Sequence, residues 1–476
     1  MQRLECVKVT RRAAMRALAL ATAGAALAAC APQTPSPAQV EPTKAEVKAT
    51  EAATAAPAPA GGVVKLRYYV NADPTRNKWA QDVLIPDYKQ AKPDVEVELI
   101  IVPWDEFDPK LTSMFAAGDL PEIWGNWGST GYAEYALRGM CIYQQEYIDR
   151  DRDALQLDDF PKTALEGVTV QGKLVGLPIY NLGTYVYYNR DVFQNEGVAF
   201  PPSDWEDTSW TWDTLLEVAT KLTKNYDDPA TGQYGITTSL AFEDICWLFG
   251  ADLWAPDVTK TSIAKTINFD KPDVIDAFQK VYDLVCKHKV APDAAISSAL
   301  SAAGDPFQAG KVGMILSAGW TFWGLKDAGG DFNWSVAALP HGPKGPAKAS
   351  LYADPMLISA QTKLKDEAWG LVSFINAVEN LRKFVVATWS EPSRLSLLPD
   401  FANLWPEDIR PDMMKALEGS WKYGEVTPWN RIAGYSQFYD TINNELSPAA
   451  GCDKTVAEVA PIIKQKVEEI LAGLSF

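Results

Sequence analysis

Between Val63 and Ala117 the chain alternates strand-like and helix-like segments at short spacing, and this restricts it to few folds. Val63–Val70 alternates as an opening strand does, and Asn71-Ala-Asp-Pro-Thr breaks it. Lys78–Gln90 carries apolar residues at helical spacing (Trp79, Val83, Leu84, Tyr88), and Val95–Val102 reads as a second strand. Asp105–Ala117 is a second helix, stopped at Gly118, a residue suited to a left-handed cap. Strand, helix, strand, helix in this order predicts a parallel sheet covered by helices. Ligands of such sheets bind outside the carboxyl ends of the strands. The loops Asn71–Thr75 and Trp124–Tyr132 both follow strand-like segments and are placed at that rim. The second reads Trp-Gly-Asn-Trp-Gly-Ser-Thr-Gly-Tyr, rings among glycines and small polar residues where a core would supply apolar neighbours.

The N-terminus sets the compartment. Arg3, Lys8, Arg11, Arg12 and Arg16 precede an uncharged stretch, Ala17–Ala29. A basic segment followed by roughly 7–15 apolar residues is an export signal, and is shorter than the roughly 20 residues of a membrane span. It ends in Leu27-Ala28-Ala29-Cys30, which resembles the lipobox of bacterial lipoproteins, with Cys30 the lipidated new N-terminus. Thr10-Arg11-Arg12 also resembles a twin-arginine signal, with Ala14 where a bulky apolar residue is usual. Location on the outer face of the cytoplasmic membrane, extracellular or periplasmic, is therefore expected. Residues 1–29 hold five positive charges and one negative, so their removal takes the net charge from −17 to −21. So acidic a surface repels phosphate backbones and excludes nucleic acid as a partner. Residues 30–62, rich in Ala, Pro and Thr, lack the apolar content to offset the entropy of ordering and are expected to form a disordered tether.

A body starting at Val63 is too long for one ordinary core, so two lobes are expected. Outside the signal and the lipobox remain Cys141, Cys246, Cys286 and Cys452, which pair in three ways in an oxidising compartment. Cys246 and Cys286, on segments expected in one lobe, are the expected pair; four buried thiols are the alternative. Their spacing fits no metal site. Gly176–Tyr180 and Tyr185–Asn189 read as extended segments, and Trp212–Lys224 as a helix capped by Thr211. Asp273–Lys287, Lys365–Val378 and Thr455–Leu471 are amphipathic helices. Asp227–Gln233 lacks the alternating ligands of a calcium loop and reads as a turn.

Six segments then occur in an order that resembles one family. They are Ala116-Ala-Gly-Asp-Leu-Pro-Glu122, Gly172-Lys-Leu-Val-Gly-Leu-Pro178, Tyr187-Tyr-Asn-Arg-Asp-Val-Phe193, Trp210-Thr-Trp-Asp213, Phe307-Gln-Ala-Gly-Lys-Val-Gly-Met314 and Lys365-Asp-Glu-Ala-Trp369. Together they are similar to the extracellular solute-binding lipoproteins of ABC importers, in the maltose-binding-protein-like, sugar-binding branch. The chain departs from the usual Lys-Ala-Ala-Met at Lys311-Val-Gly-Met314. The resemblance implies an α/β, two-lobe, type II periplasmic-binding-protein-like fold, with a ligand cleft between lobes joined by crossing hinge strands. It implies lobe 1 from 63–185 and 333–378, lobe 2 from 186–332 and 379–476, and a first crossing near Thr184–Tyr188. It further implies a monomer that closes on its solute and passes it to the permease transmembrane subunits.

The same resemblance places the ligand. Trp124, Asn126 and Trp127 would face the cleft from the first lobe, with Asn71 and Asp73 at the end of the first strand and Tyr352 and Asp354 as further candidates. Phe242, Glu243, Trp247, Trp320 and Trp323 would face it from the second lobe, and Trp429, Arg431 and Tyr435 near the C-terminus. Aromatic faces suit the C–H patches of sugar rings, and neighbouring amides and carboxylates suit their hydroxyls. A neutral oligosaccharide is the expected solute. A polyamine held by cation–π contacts is the alternative. Only His288 and His341 are present, neither in a metal or triad motif, and no cofactor is implied. A glycoside hydrolase needs only two carboxylates and an aromatic cleft, but the motif order disfavours it.

Overall fold

The computed structural model describes residues 62–125, 130–326, 328 and 332–475. The segment expected to be an export signal, Cys30, nearly all of the expected tether, Asn126 and Trp127 lie outside the described residues. From Gly61 onward the contacts gather the chain into one unit.

The first sheet forms where the strand–helix alternation predicts it. Strand β1 (Val64–Asn71) pairs in parallel with β2 (Val95–Val102) and with β3 (Ile123–Gly125), and Met356–Ile358 adds an antiparallel edge beside β3. Leu66, Tyr68, Tyr69 and Val70 of β1 are all buried, as an inner strand requires, whereas β2, at the edge, keeps exposed positions. The helix after β1 starts earlier than the apolar spacing indicates. Asp73 accepts from the Arg76 amide and Pro74 takes the first turn, so α1 spans Pro74–Trp79. The helix widens into a π-turn over Ala80–Leu84 and continues as α2 (Ile85–Ala91); Pro86, which has no amide hydrogen, stands just beyond the widened turn. Helix α3 (Trp104–Ala116) follows β2, with Gly118 at φ 73° closing its end, and α4 (Tyr132–Leu137) follows β3.

The second sheet is mixed. Strand β4 (Thr184–Asn189) lies antiparallel to both of its neighbours, β6 (Val312–Ala318) and β7 (Trp334–Ala337), and β5 (Tyr234–Ser239) runs parallel to β6. Helix α5 (Trp212–Leu222), capped by Thr211, packs on β5 closely enough that a Cβ on Gly235 would stand 2.0 Å from the Ala219 carbonyl oxygen. Helices α6 (Phe242–Leu248) and α7 (Pro272–Cys286) share a second apolar core with the C-terminal helices.

Three segments pass between the sheets side by side, joined by bridges Pro178–Pro355, Leu182–Tyr352 and Tyr180–Pro392. The crossing therefore precedes β4, all of which belongs to the second sheet, and the return comes at Tyr352–Pro355 and not at Asn333, because Trp334–Ala337 pairs with β4. After α8 (Thr321–Leu325) and α9 (Lys365–Asn376), helix α10 (Val378–Thr388) still packs on the first sheet's helices, Phe384 meeting Trp79 edge-on at 4.8 Å. Helix α11 (Arg410–Tyr423) then turns to the second sheet, where its Met413 approaches Ser335 of β7. Helices α12 (Tyr435–Ala450) and α13 (Val456–Gly473) finish the chain, the latter opened by a Thr455–Glu458 capping box.

The expected cysteine pair is corrected. Cys286 bonds Cys452, whereas Cys141 and Cys246 are free and buried. Cys246 points into the core from the middle of α6, while Cys286 ends α7 close to the end of α12 and to the turn that carries Cys452.

Candidate functional site

A cavity of about 260 Å³ opens at the carboxyl rim of the first sheet and against the crossing segments. Arg76 and Trp104 reach it from the helices that follow β1 and β2, as the rim rule requires. Trp104, just after Pro103, is 51% exposed, the ring of a wall still open to solvent. The crossing segments supply Tyr180, Leu182, Tyr352 and Asp354. Trp320 comes from the turn after β6 and Trp323 from α8 just beyond it, and Trp429 and Asn430 come from a short 3-10 turn before α12.

The polar groups are held by partners within the protein. Tyr180 donates to Asp354 Oδ2 at 2.5 Å and Asn430 Nδ2 donates to Oδ1 at 3.0 Å, so both carboxylate oxygens are held. Arg76 pairs with Asp73 at 3.2 Å and donates to Asn71 Oδ1 at 3.4 Å, and its guanidinium lies 4.4 Å over the Trp323 ring. Trp320 meets Tyr352 edge-on at 4.9 Å and 66°. Behind Tyr352, buried Asp244 accepts from its hydroxyl at 3.2 Å and from the Ser350 amide at 2.9 Å. Burial pushes the Asp244 carboxyl up to about 6, and the donors from Ser350 and Tyr352 oppose that rise. Rings on several sides, with one carboxylate, one amide and one guanidinium, form a site suited to binding a compact solute rich in hydroxyls. Among the described residues no cluster of His, Cys, Asp or Glu could hold a metal ion.

Residues 71–380 match the family model of the bacterial extracellular solute-binding proteins. The chain belongs to that family. A binding protein of Brucella abortus is 26% identical over 296 residues, which are 60% of this chain and 66% of the relative, so the chain spans just under two thirds of that relative's length. Among solved structures, an ABC substrate-binding protein from Listeria monocytogenes in complex with cycloalternan superimposes with a TM-score of 0.72 at 21% identity, covering 86% of this chain and 99% of that one. Maltose-bound T. maritima MalE3 superimposes at 0.68 with 22% identity, covering 86% and 100%. The two-lobed α/β architecture of such proteins is the architecture of this solute-binding protein.

Of the residues assigned from sequence, Trp320, Trp323, Tyr352, Asp354 and Trp429 line the cavity of this solute-binding protein. Asn71 and Asp73 stand one step behind, holding Arg76. Asn126 and Trp127 lie outside the described residues, and the remaining assignments are corrections. Trp124 is fully buried between sheet and helix, edge-on to Tyr135 at 5.9 Å, because β3 pairs on both sides and leaves its ring inside. Phe242, Glu243 and Tyr435 belong to the second core. Glu243 accepts from Trp254 Nε1 at 2.7 Å and from the Tyr435 hydroxyl at 3.0 Å, and burial raises its carboxyl to about 7. Arg431 is buried and donates to the Thr169 and Thr259 carbonyls at 3.2 and 2.9 Å, tying a short strand (Thr169–Val170) to a short helix (Val258–Thr261). Trp247 borders a separate cavity of about 260 Å³ with Lys344 and Lys348. Arg76, Trp104, Tyr180, Leu182 and Asn430 were not assigned from sequence. A signal existed for the first two: each lies a few residues past a strand end, where the rim rule directs attention.

Proposed function

We propose that this protein captures a neutral carbohydrate in the cavity between Trp320, Trp323, Trp429 and Tyr352 and delivers it, unaltered, to the permease of an ABC importer. The observation that carries the reading is the combination of rings from both lobes with the pre-bonded Asp354–Asn430–Tyr180 frame. Rings pack on sugar C–H faces while the frame and Arg76 meet hydroxyls. Stacking contributes about 0.5–1.5 kcal/mol per ring, so micromolar affinity, about 8 kcal/mol, draws on the polar groups as well. The volume lies below the roughly 300–1,000 Å³ of sites for drug-sized ligands, which favours a short sugar or a terminal unit over a long chain. Asn126 and Trp127, in the segment that follows β3, complete the first-lobe wall in this proposal, and lipidation at Cys30 holds the protein at the membrane.

Arg76 places a positive charge in the cavity wall, against a polyamine. Asp354 is the one carboxylate among the described lining residues, where glycoside hydrolysis uses two. Calorimetry with maltose, mannotriose, ribitol and spermidine tests the reading. Saturable heat from at least one of the first three and none from spermidine is expected; the reverse sinks it. Reducing ends released from an oligosaccharide by the purified protein would make it a hydrolase instead.

A further inference from the structure

Trp323 stands on α8, yet its ring is fixed from the other side of the crossing. Its indole nitrogen donates to Ser390 Oγ at 2.9 Å. Ser390 Oγ lies 2.8 Å from Thr388 Oγ1, which in turn donates to the Phe384 carbonyl at 2.8 Å. The chemistry of the two ends orders every proton between them, because an indole N–H only donates and a carbonyl only accepts. Thr388 gives its single proton to Phe384, so Ser390 gives its own to Thr388 and turns a lone pair to the indole. Both hydroxyl residues are fully buried, which keeps water from competing for these bonds.

The chain of bonds begins on the cavity and ends in the first lobe. Thr388 is the last residue of α10, which packs on α1 through Phe384 and Trp79. Trp389 follows in the left-handed conformation (φ 56°) and reverses the chain, which brings Ser390 back to Thr388. Arg76 of α1 covers one face of the same indole at 4.4 Å. Trp323 is thus held at its edge by the end of α10 and on one face by α1.

We propose that Ser390 is a positioning residue for ligand binding: the bonded series Trp323–Ser390–Thr388–Phe384 sets the plane of a ring that walls the cavity. This rests on the reading of that cavity as the carbohydrate site. An indole N–H in a half-buried side chain that loses the hydroxyl it donates to either moves toward another acceptor or stays unpaired, and a wall that moves no longer presents a preformed surface.

The test uses the exported chain with isotope-labelled indoles. In Ser390→Ala the Trp323 indole N–H resonance, assigned by its loss in Trp323→Phe, is expected to shift and its hydrogen to exchange at least about tenfold faster. Affinity for whichever of maltose, mannotriose and ribitol the unaltered protein binds should fall about fivefold or more. Ser390→Thr keeps the hydroxyl and is expected to restore both. Should Ser390→Ala not fold, Thr388→Val removes the next link and is expected to give the same shift with a smaller loss of affinity. A resonance unmoved in the folded variants overturns the positioning role, and a moved resonance with unchanged affinity overturns its bearing on the ligand. An unaltered protein that binds none of the three compounds defeats the carbohydrate reading instead; the resonance, measured without ligand, still decides whether Ser390 positions the ring.

Discussion

Trp320 and Trp124 share a side chain and differ in everything that surrounds it. Trp320 is half-buried and borders the cavity, so Trp320→Ala should weaken carbohydrate binding tenfold or more, about 1.4 kcal/mol, with little change in melting temperature. Trp124 fills a core between β3 and Tyr135, so Trp124→Ala should cost about 3–5 kcal/mol of stability and act on binding only through that loss. Calorimetric titration and thermal melting of the two variants side by side separate these outcomes. The contrast also shows what the sequence could carry at this scale. Trp124 and Trp127 look alike in a run of glycines; strand pairing puts Trp124 inside, and pairing with Met356–Ile358 comes from a segment more than 200 residues away. Glu243 and Tyr435 misled for the same reason, since their bond to each other joins α6 to α12.

At the scale of elements, local signals were sufficient wherever the structure is local. The run β1, helix, β2, helix was legible because each segment announces its own period and its own stop, and Thr211 and Thr455 cap the helices they precede. The crossing was not legible to the residue. Its three segments are held by isolated bridges between distant parts of the chain, and nothing in Pro178–Leu182 alone names Pro355 or Pro392 as a partner. The cysteine pair has the same character. Cys286 and Cys452 sit 166 residues apart and meet because α7 and α12 end together. Removing this bond with Cys452→Ser is expected to cost about 2–4 kcal/mol of stability by freeing the unfolded chain. A lower melting temperature in the variant, matched by the unaltered protein under reductant, checks it; equal melting with and without reductant would show that the bond contributes nothing.

At the scale of the whole molecule, buried carboxyls tie stability to pH. Burial raises Glu391 to about 8, although Tyr185 and the Gly183 amide donate to it, and raises Glu243 and Asp244 to about 7 and about 6. A carboxyl with a raised pKa binds its proton more tightly in the folded state than in the unfolded one. Its contribution is therefore complete below the unfolded value of 4.5 for glutamate and is lost as pH rises through the folded value. Asp151, lowered to about 2 first by Arg150, acts in the opposite sense and only in strong acid. The melting temperature should thus peak in mild acid and decline toward pH 8. Glu391→Gln, neutral at every pH, is expected to flatten that decline; an unchanged slope between pH 5 and 8 would show that Glu391 is already ionised there.

The walls of the cavity have an optical consequence. Of 17 tryptophans in the chain, Trp104, Trp320, Trp323 and Trp429 line it, one of them half in solvent and one beneath a guanidinium. A ligand that covers Trp104 or lifts Arg76 from Trp323 changes the polarity and quenching that those indoles experience. Occupancy should therefore be written into the intrinsic emission of the unlabelled protein, as a shift carried by a minority of its fluorophores, so the molecule is its own indicator of what it has captured.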